Sequence, residues 1–83
     1  MDCASRFAQN LRRYRRVAGI SQETLGLRAG LHRTEIGLLE RGSRTPRIDT
    51  VLKLATALKV KPADLLDGIA WVPSPYGGQF EFH

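Results

Sequence analysis

Hydrophobic residues recur at helical spacing along most of the chain. Near the start, intervals of three or four residues place four of them on one face of a helix: Phe7, Leu11, Tyr14 and Ala18. The same spacing returns within residues 48–60, where it aligns Val51, Leu54, Ala55 and Leu58. The pattern predicts an all-α domain built from amphipathic helices.

Capping residues and glycines divide this pattern into five predicted helices. Asp2 or Ser5 is suited to begin the first helix, and Gly19 to end it. Ser21 is a good N-cap for the second helix, which runs to about residue 29 before Gly30 stops it.

The third helix covers about residues 33–40, with Ile36 and Leu39 facing inward and Gly42 at its end. The fourth lies in "IDTVLKLATALKV", after a turn with Pro46. The fifth lies in "PADLLDG", from Pro62 to Gly68.

The last fifteen residues favour extended structure. "IAWVP" and "QFEFH" are rich in β-prone residues, and "SPYGG" between them is typical of a turn, so a β-hairpin is expected. The predicted domain organisation is therefore a helical domain over residues 1–68 and a tail over residues 69–83.

Positive charge is concentrated in the first part of the chain. The formal net charge is +5, and all ten arginines precede residue 48. Arginine pairs well with phosphate oxygens and with base edges, which suits a nucleic-acid surface. Composition alone equally allows a solvated basic face.

Several function classes find no support. No apolar run approaches the roughly eighteen residues of a membrane span, and the N-terminus lacks a signal core, so a cytoplasmic protein is expected. Cys3 has no evident catalytic partner, and His32 and His83 have no partners at metal-ligand spacing. There is no glycine-rich phosphate loop. We expect no enzyme activity, no cofactor and no metal.

The stretch "QETLGLRAGLHRTEIGLLER" (residues 22–41) has the spacing of a helix-turn-helix. With Gln22 as the first position, Gly26 is the fifth, where two helices come closest, and Gly30 is the ninth, in the turn. The shared core positions are occupied by Leu25, Ala29, Leu31, Ile36 and Leu39.

Together with "LERG" at the end of the third helix and the proline-containing turn, this spacing resembles the Cro/C1-type (xenobiotic-response-element, XRE) family, which includes the lambda-type phage repressors. The resemblance covers residues 7–66. It implies a five-helix lambda-repressor-like domain, with the third helix in the major groove of double-stranded DNA, acting as a transcriptional regulator. Such a protein would associate with the nucleoid when bound to DNA.

The resemblance also implies contacts for individual residues. Gln22 would contact a phosphate from the start of the second helix. Arg33 would read guanine through O6 and N7. Thr34 would touch either a phosphate or a thymine methyl group, and His32 would either contact phosphate or cap the helix.

Gly37 and Leu38 depart from the family pattern, because many relatives place polar base-contacting residues there. Gly37 would let the backbone approach DNA closely, whereas Leu38 would pack either on a thymine methyl group or at the edge of the core. Direct readout is therefore expected to be narrow, and DNA shape to contribute more.

Basic residues follow the third helix. Arg41 and Arg44 are expected along the phosphates, and Arg47, directly after Pro46, toward the minor groove. Arg15 and Glu40 match a family ion pair that joins the first helix to the end of the third, and this pair is interpreted as structural.

Trp71, Phe80 and Phe82, which are half of the six aromatic residues of the chain, lie in the tail. Proteins of this family commonly bind inverted repeats as homodimers, and we expect the tail to form the dimer contact. Two alternatives stay open. The tail would cap the monomer core, or it would bind a second protein, as in an antitoxin-like module whose helix-turn-helix regulates its own operon.

Overall fold

The computed structural model describes residues 2–83, which form five helices followed by a two-stranded antiparallel sheet. In chain order the elements are α1 Cys3–Ala18, α2 Gln22–Ala29, α3 Arg33–Glu40, α4 Ile48–Leu58, α5 Pro62–Leu65, β1 Ile69–Val72 and β2 Gln79–Phe82. The predicted five-helix domain with a C-terminal hairpin is confirmed.

Short-range interactions set the ends of α1 and α2. The Asp2 carboxylate accepts the N–H of Ser5 at 2.8 Å, so Asp2 is the N-cap of α1. The Ser21 hydroxyl caps α2 in the same way. Gly19 and Gly30 end the two helices with φ of 70° and 68°, a left-handed conformation that glycine adopts at little cost.

Close packing between α2 and α3 explains the small residue at position 26. A Cβ on Gly26 would lie 2.6 Å from the carbonyl oxygen of Leu31, so a larger residue would push the turn away. Leu25, Ile36 and Leu39 are fully buried, and Leu31 is partly buried beside them. The helix-turn-helix spacing thus produces the predicted packing.

The core gathers side chains from all five helices. Its largest fully buried members are Phe7, Leu11, Leu25, Ile36, Leu39, Leu54 and Leu65. Ala18, which the spacing places on the same helix face as Phe7 and Leu11, is exposed. The chain reverses at Gly19, and Ile20 packs against the core instead.

The fifth helix is shorter than predicted, because it ends at Leu65 and not at Gly68. The side-chain amide of Asn10 donates to the carbonyl oxygens of Leu65 at 2.9 Å and of Asp67 at 3.0 Å. These two bonds hold the backbone after Leu65 against α1, where it turns into the sheet.

The hairpin is attached to the helices at its base. Ile69 pairs with Phe82 and packs on the core, while Trp71 pairs with Phe80 further along the hairpin. The guanidinium of Arg6 donates to the carbonyl oxygen of His83. The open ends of the strands are therefore fixed to α1.

Candidate nucleic-acid interface

A polar cleft of about 620 Å³ lies between the N-terminal turn of α2 and the exposed side of α3. It is lined by Arg15, Ser21, Gln22, Glu23, Arg33, Thr34, Gly37 and Arg41. The first N–H groups of α2 have no partner within the helix and carry a partial positive charge. Three arginines lie beside this helix N-terminus, so the cleft is suited to bind a phosphate.

One wall of the cleft is held by a network around Glu40. Arg15 binds the Glu40 carboxylate through Nε at 2.5 Å and Nη2 at 2.9 Å, and Gln22 donates its amide to the same carboxylate at 3.2 Å. The guanidinium of Arg12 donates to the carbonyl oxygen of Glu40. The hydrogen bonds that Arg15 donates to the Glu40 carboxylate raise the pKa of Arg15 above its ordinary value. The network joins α1, α2 and α3.

Two contacts of this network were not foreseen from the sequence. Gln22 was expected only at a phosphate, yet it also contacts Glu40, and Arg12 received no role. The available signal for Arg12 is its position three residues before Arg15, which places both on one side of α1.

The start of α3 is open to solvent. The Nδ1 atom of His32 accepts the N–H of Thr34 at 3.1 Å, so His32 is the N-cap of α3. The Arg33 side chain is 68% exposed, and its guanidinium lies 4.0 Å from the exposed carboxylate of Glu23. An exposed pair at this distance holds Arg33 only weakly, so its guanidinium remains accessible to a ligand. Thr34 is exposed beside it.

The middle of α3 is less exposed. Gly37 is buried and Leu38 is half-buried. Gly37 forms part of the cleft wall, whereas Leu38 does not line the cleft.

The basic residues after α3 are accessible to solvent. Arg41 and Arg44 are exposed, and Arg41 lines the cleft. Arg47 is 83% exposed and lies 3.4 Å from the carboxylate of Asp49 at the start of α4. This contact is a surface ion pair, which contributes little to stability.

The tail residues form a separate apolar surface. Trp71 and Phe80 meet edge to face, with ring centroids 5.1 Å apart, and about half of each residue is exposed, 55% for Trp71 and 44% for Phe80. Phe82 is half-buried. Within residues 2–83, the polar cleft contains none of these three side chains.

None of the helices within residues 2–83 has both the length and the apolar character needed to cross a membrane. Among the same residues, no three His, Cys, Asp or Glu side chains lie together as a metal site would require.

Known proteins with this architecture match most of the chain. A family model described as Helix-turn-helix matches residues 11–65. Control protein C.SmaI from Serratia marcescens is 42% identical over 66 residues, which are 80% of this chain and 79% of that protein. The restriction-modification controller protein C.AhdI from Aeromonas hydrophila has a crystal structure that is similar at a TM-score of 0.73 and 45% identity, covering 75% of this chain and 94% of that one.

The P22 c2 repressor, whose crystal structure is a complex with a synthetic operator, is similar at a TM-score of 0.69 and 31% identity, covering 75% of this chain and 94% of that one. The family match spans α2, α3, α4 and α5 and all eight cleft-lining residues. It confirms the resemblance first seen in the helix-turn-helix spacing. The chain therefore belongs to the Cro/C1-type helix-turn-helix family of DNA-binding transcription regulators.

Proposed function

We propose that this regulator binds an inverted-repeat operator as a homodimer, with α3 of each protomer in the major groove. The observation that carries the proposal is the placement of Arg33 and Thr34. Both are exposed at the start of α3, beside a cleft lined by basic side chains and the N-terminus of α2. N-terminal residues of a recognition helix are the ones that reach base edges in this architecture.

Arg33 reads a guanine in each half-site, since its weakly held guanidinium is free to form two hydrogen bonds with O6 and N7. Thr34 lies next to it and contacts a phosphate or a thymine methyl group. His32 caps α3 and so sets the direction in which Arg33 leaves the helix. Leu38 contributes apolar contact at the edge of the interface.

Phosphate contacts position the helix without reading sequence. Gln22 contributes from the start of α2, while its amide contact with Glu40 keeps it oriented. Arg41 and Arg44 contact the backbone beside α3. Arg47 gives up its ion pair with Asp49 and contacts the minor groove or the phosphates that flank it.

The tail forms the dimer contact. Trp71 and Phe80 supply a paired aromatic surface that is about half exposed in one chain. Large aromatic side chains lose little conformational entropy on burial and dominate many interfaces. Phe82 supports this surface from the base of the hairpin.

The names of two relatives suggest the process that is regulated. One is a control protein, and the other is a restriction-modification controller protein. By this similarity the chain controls transcription in a restriction-modification system, in the bacterial cytoplasm.

Selection of bound duplexes from a random DNA library, at near-physiological salt, tests the proposal. Enrichment of an inverted repeat supports a sequence-reading dimer, and the half-site spacing gives the dimer geometry. Binding that enriches no sequence and disappears as salt rises would mean that the arginine surface is only electrostatic.

A second function follows from the exposed pair Trp71 and Phe80. In this alternative the tail binds a different protein, as in an antitoxin-like module. The helix-turn-helix then regulates the module's own operon. Sedimentation of the purified chain separates the two. A monomer that binds single half-sites favours the alternative, whereas a stable dimer favours the homodimeric regulator.

A further inference from the structure

Gly37 occupies an unusual place in the recognition helix. It lies within α3, where glycine lowers helix stability, yet it is buried under other side chains. A Cβ on Gly37 would lie 3.3 Å from Nη1 of Arg41 and 3.8 Å from Oε1 of Gln22. A Cβ at position 37 would therefore press on the end of the Arg41 side chain and lie at ordinary contact distance from the Gln22 amide.

Helix geometry explains how Arg41 reaches this space. Long side chains on a helix lean toward the N-terminus and cover the preceding turn, and Arg41 follows Gly37 by four residues. Its guanidinium therefore lies back along the side of α3 and forms part of the cleft wall.

The other two arginines of the cleft already have carboxylate partners. Arg15 is bound to Glu40, and Arg33 lies near Glu23. Within residues 2–83, Arg41 takes part in no ion pair of this kind. It is the cleft arginine whose charge is least compensated, and an anion is the ligand that such a charge attracts.

We infer that Gly37 is a positioning residue for Arg41. The missing side chain lets the Arg41 guanidinium lie in the cleft beside the N-terminus of α2, where it binds a backbone phosphate of the operator. This inference rests on the proposed function, and it replaces the earlier expectation that Gly37 serves close approach of the α3 backbone to DNA.

Gly37→Ala should have opposite effects on stability and on DNA binding. An alanine at position 37 would bring its Cβ against the flexible end of Arg41, so the guanidinium would move while the backbone stays in place. Alanine also favours the helix. Gly37→Ala should therefore raise the melting temperature by roughly 4–8 °C, while it displaces the phosphate-binding group.

A double-mutant cycle on the full chain tests this coupling, using the enriched operator duplex as the probe. Arg41→Ala should weaken binding roughly tenfold or more and lower the salt dependence by about one phosphate contact in each half-site, and Gly37→Ala should weaken binding in the same way by a smaller factor. The double variant should bind no more weakly than Arg41→Ala alone.

Arg28→Ala is the matched control. It removes the same charge from the far end of α2, outside the cleft, and should leave affinity within about threefold.

Three results would overturn the inference. One is an unchanged affinity of Gly37→Ala. Another is an equal loss in the wild-type and Arg41→Ala backgrounds, which would mean that the backbone itself meets DNA. The third is a melting temperature that falls together with affinity, which would make Gly37 structural. A wild-type chain that enriches no operator would instead overturn the proposed function before any variant is compared.

Discussion

The guanidinium of Arg15 and the carboxylate of Glu40 form an ion pair with two hydrogen bonds, at 2.5 Å and 2.9 Å, between α1 and the last residue of α3. The Glu40 side chain is 3% exposed and that of Arg15 is 15% exposed. Arg15 also donates to the carbonyl oxygen of Ile20 at 2.9 Å. The end of the recognition helix is therefore fixed to α1 by side chains that are largely out of solvent.

Removing one partner of this pair should strongly destabilise the fold. Arg15→Met leaves the Glu40 carboxylate buried with only the Gln22 amide beside it, and the expected loss in the free energy of unfolding is about 3–5 kcal/mol. Urea unfolding followed by circular dichroism measures this loss. As a control, Lys53→Met breaks an exposed pair with Asp49 and should cost less than about 1 kcal/mol. A loss of that small size for Arg15→Met would contradict a structural role.

Arg33 and Arg44 should differ in what their removal changes. Arg33→Ala should lose about 1–3 kcal/mol on the operator and relax the base preference at one position of each half-site. Arg44→Ala should weaken binding evenly across sequences and reduce the salt slope by about 1 for each half-site, because a phosphate contact carries no sequence information. Affinity measured on the operator and on single-base variants separates the two effects.

Arg28→Ala serves again as the charge control, since Arg28 is an exposed arginine that lies outside the cleft. It should leave the base preference unchanged. If Arg33→Ala keeps both its affinity and its preference, Arg33 is not the base reader. If Arg44→Ala loses affinity for some sequences only, its phosphate role is wrong.

The helix ends and the helix-turn-helix core could be predicted because they depend on neighbours in sequence. Gly19 and Gly30 adopt the left-handed conformation where the pattern places them. The end of α5 could not be predicted in this way. It depends on Asn10, which lies more than fifty residues earlier and bonds the backbone of Leu65 and Asp67.

In the candidate site too, some features could be predicted from the sequence and others could not. The family resemblance predicted Arg33 and Gly37 as groove-facing positions, and it paired Arg15 with Glu40, an ion pair that the structure contains. It gave no sign that Gln22 donates to Glu40, or that Arg41 folds back over Gly37. Those contacts depend on the path of long side chains across helices, and residue spacing does not specify that path.

The aromatic tail should control the oligomeric state. Trp71→Ser with Phe80→Ser removes the exposed edge-to-face pair, and the dimer dissociation constant should rise roughly tenfold or more for each aromatic lost. Sedimentation over a concentration series measures the change. Tyr76→Ser is the control, because Tyr76 is 99% exposed in the turn between the strands and should not affect association.

A double variant that sediments as wild type would exclude the tail from the interface. The exposed residues Ile48, Leu52 and Leu66, which line an apolar groove of about 290 Å³, would then be the surface to test. Ile48→Ser would be expected to release the monomer in that case.

The N-cap of α1 should make stability depend on pH in the acid range. The N–H and the hydroxyl of Ser5 hydrogen-bond to the Asp2 carboxylate and hold its pKa below the ordinary value of 3.8. Because the folded pKa is the lower one, the unfolded chain binds more protons in this range. The contribution of the cap to the free energy of unfolding is therefore complete above pH 3.8, and it is lost as the pH falls through the pKa of the folded state.

Asp2→Asn keeps a capping oxygen that does not titrate. Any advantage of the wild type in melting temperature over Asp2→Asn should thus shrink, or reverse in sign, between about pH 7 and about pH 2.5. A difference that stays constant over this range would show that the carboxylate charge contributes nothing to the cap.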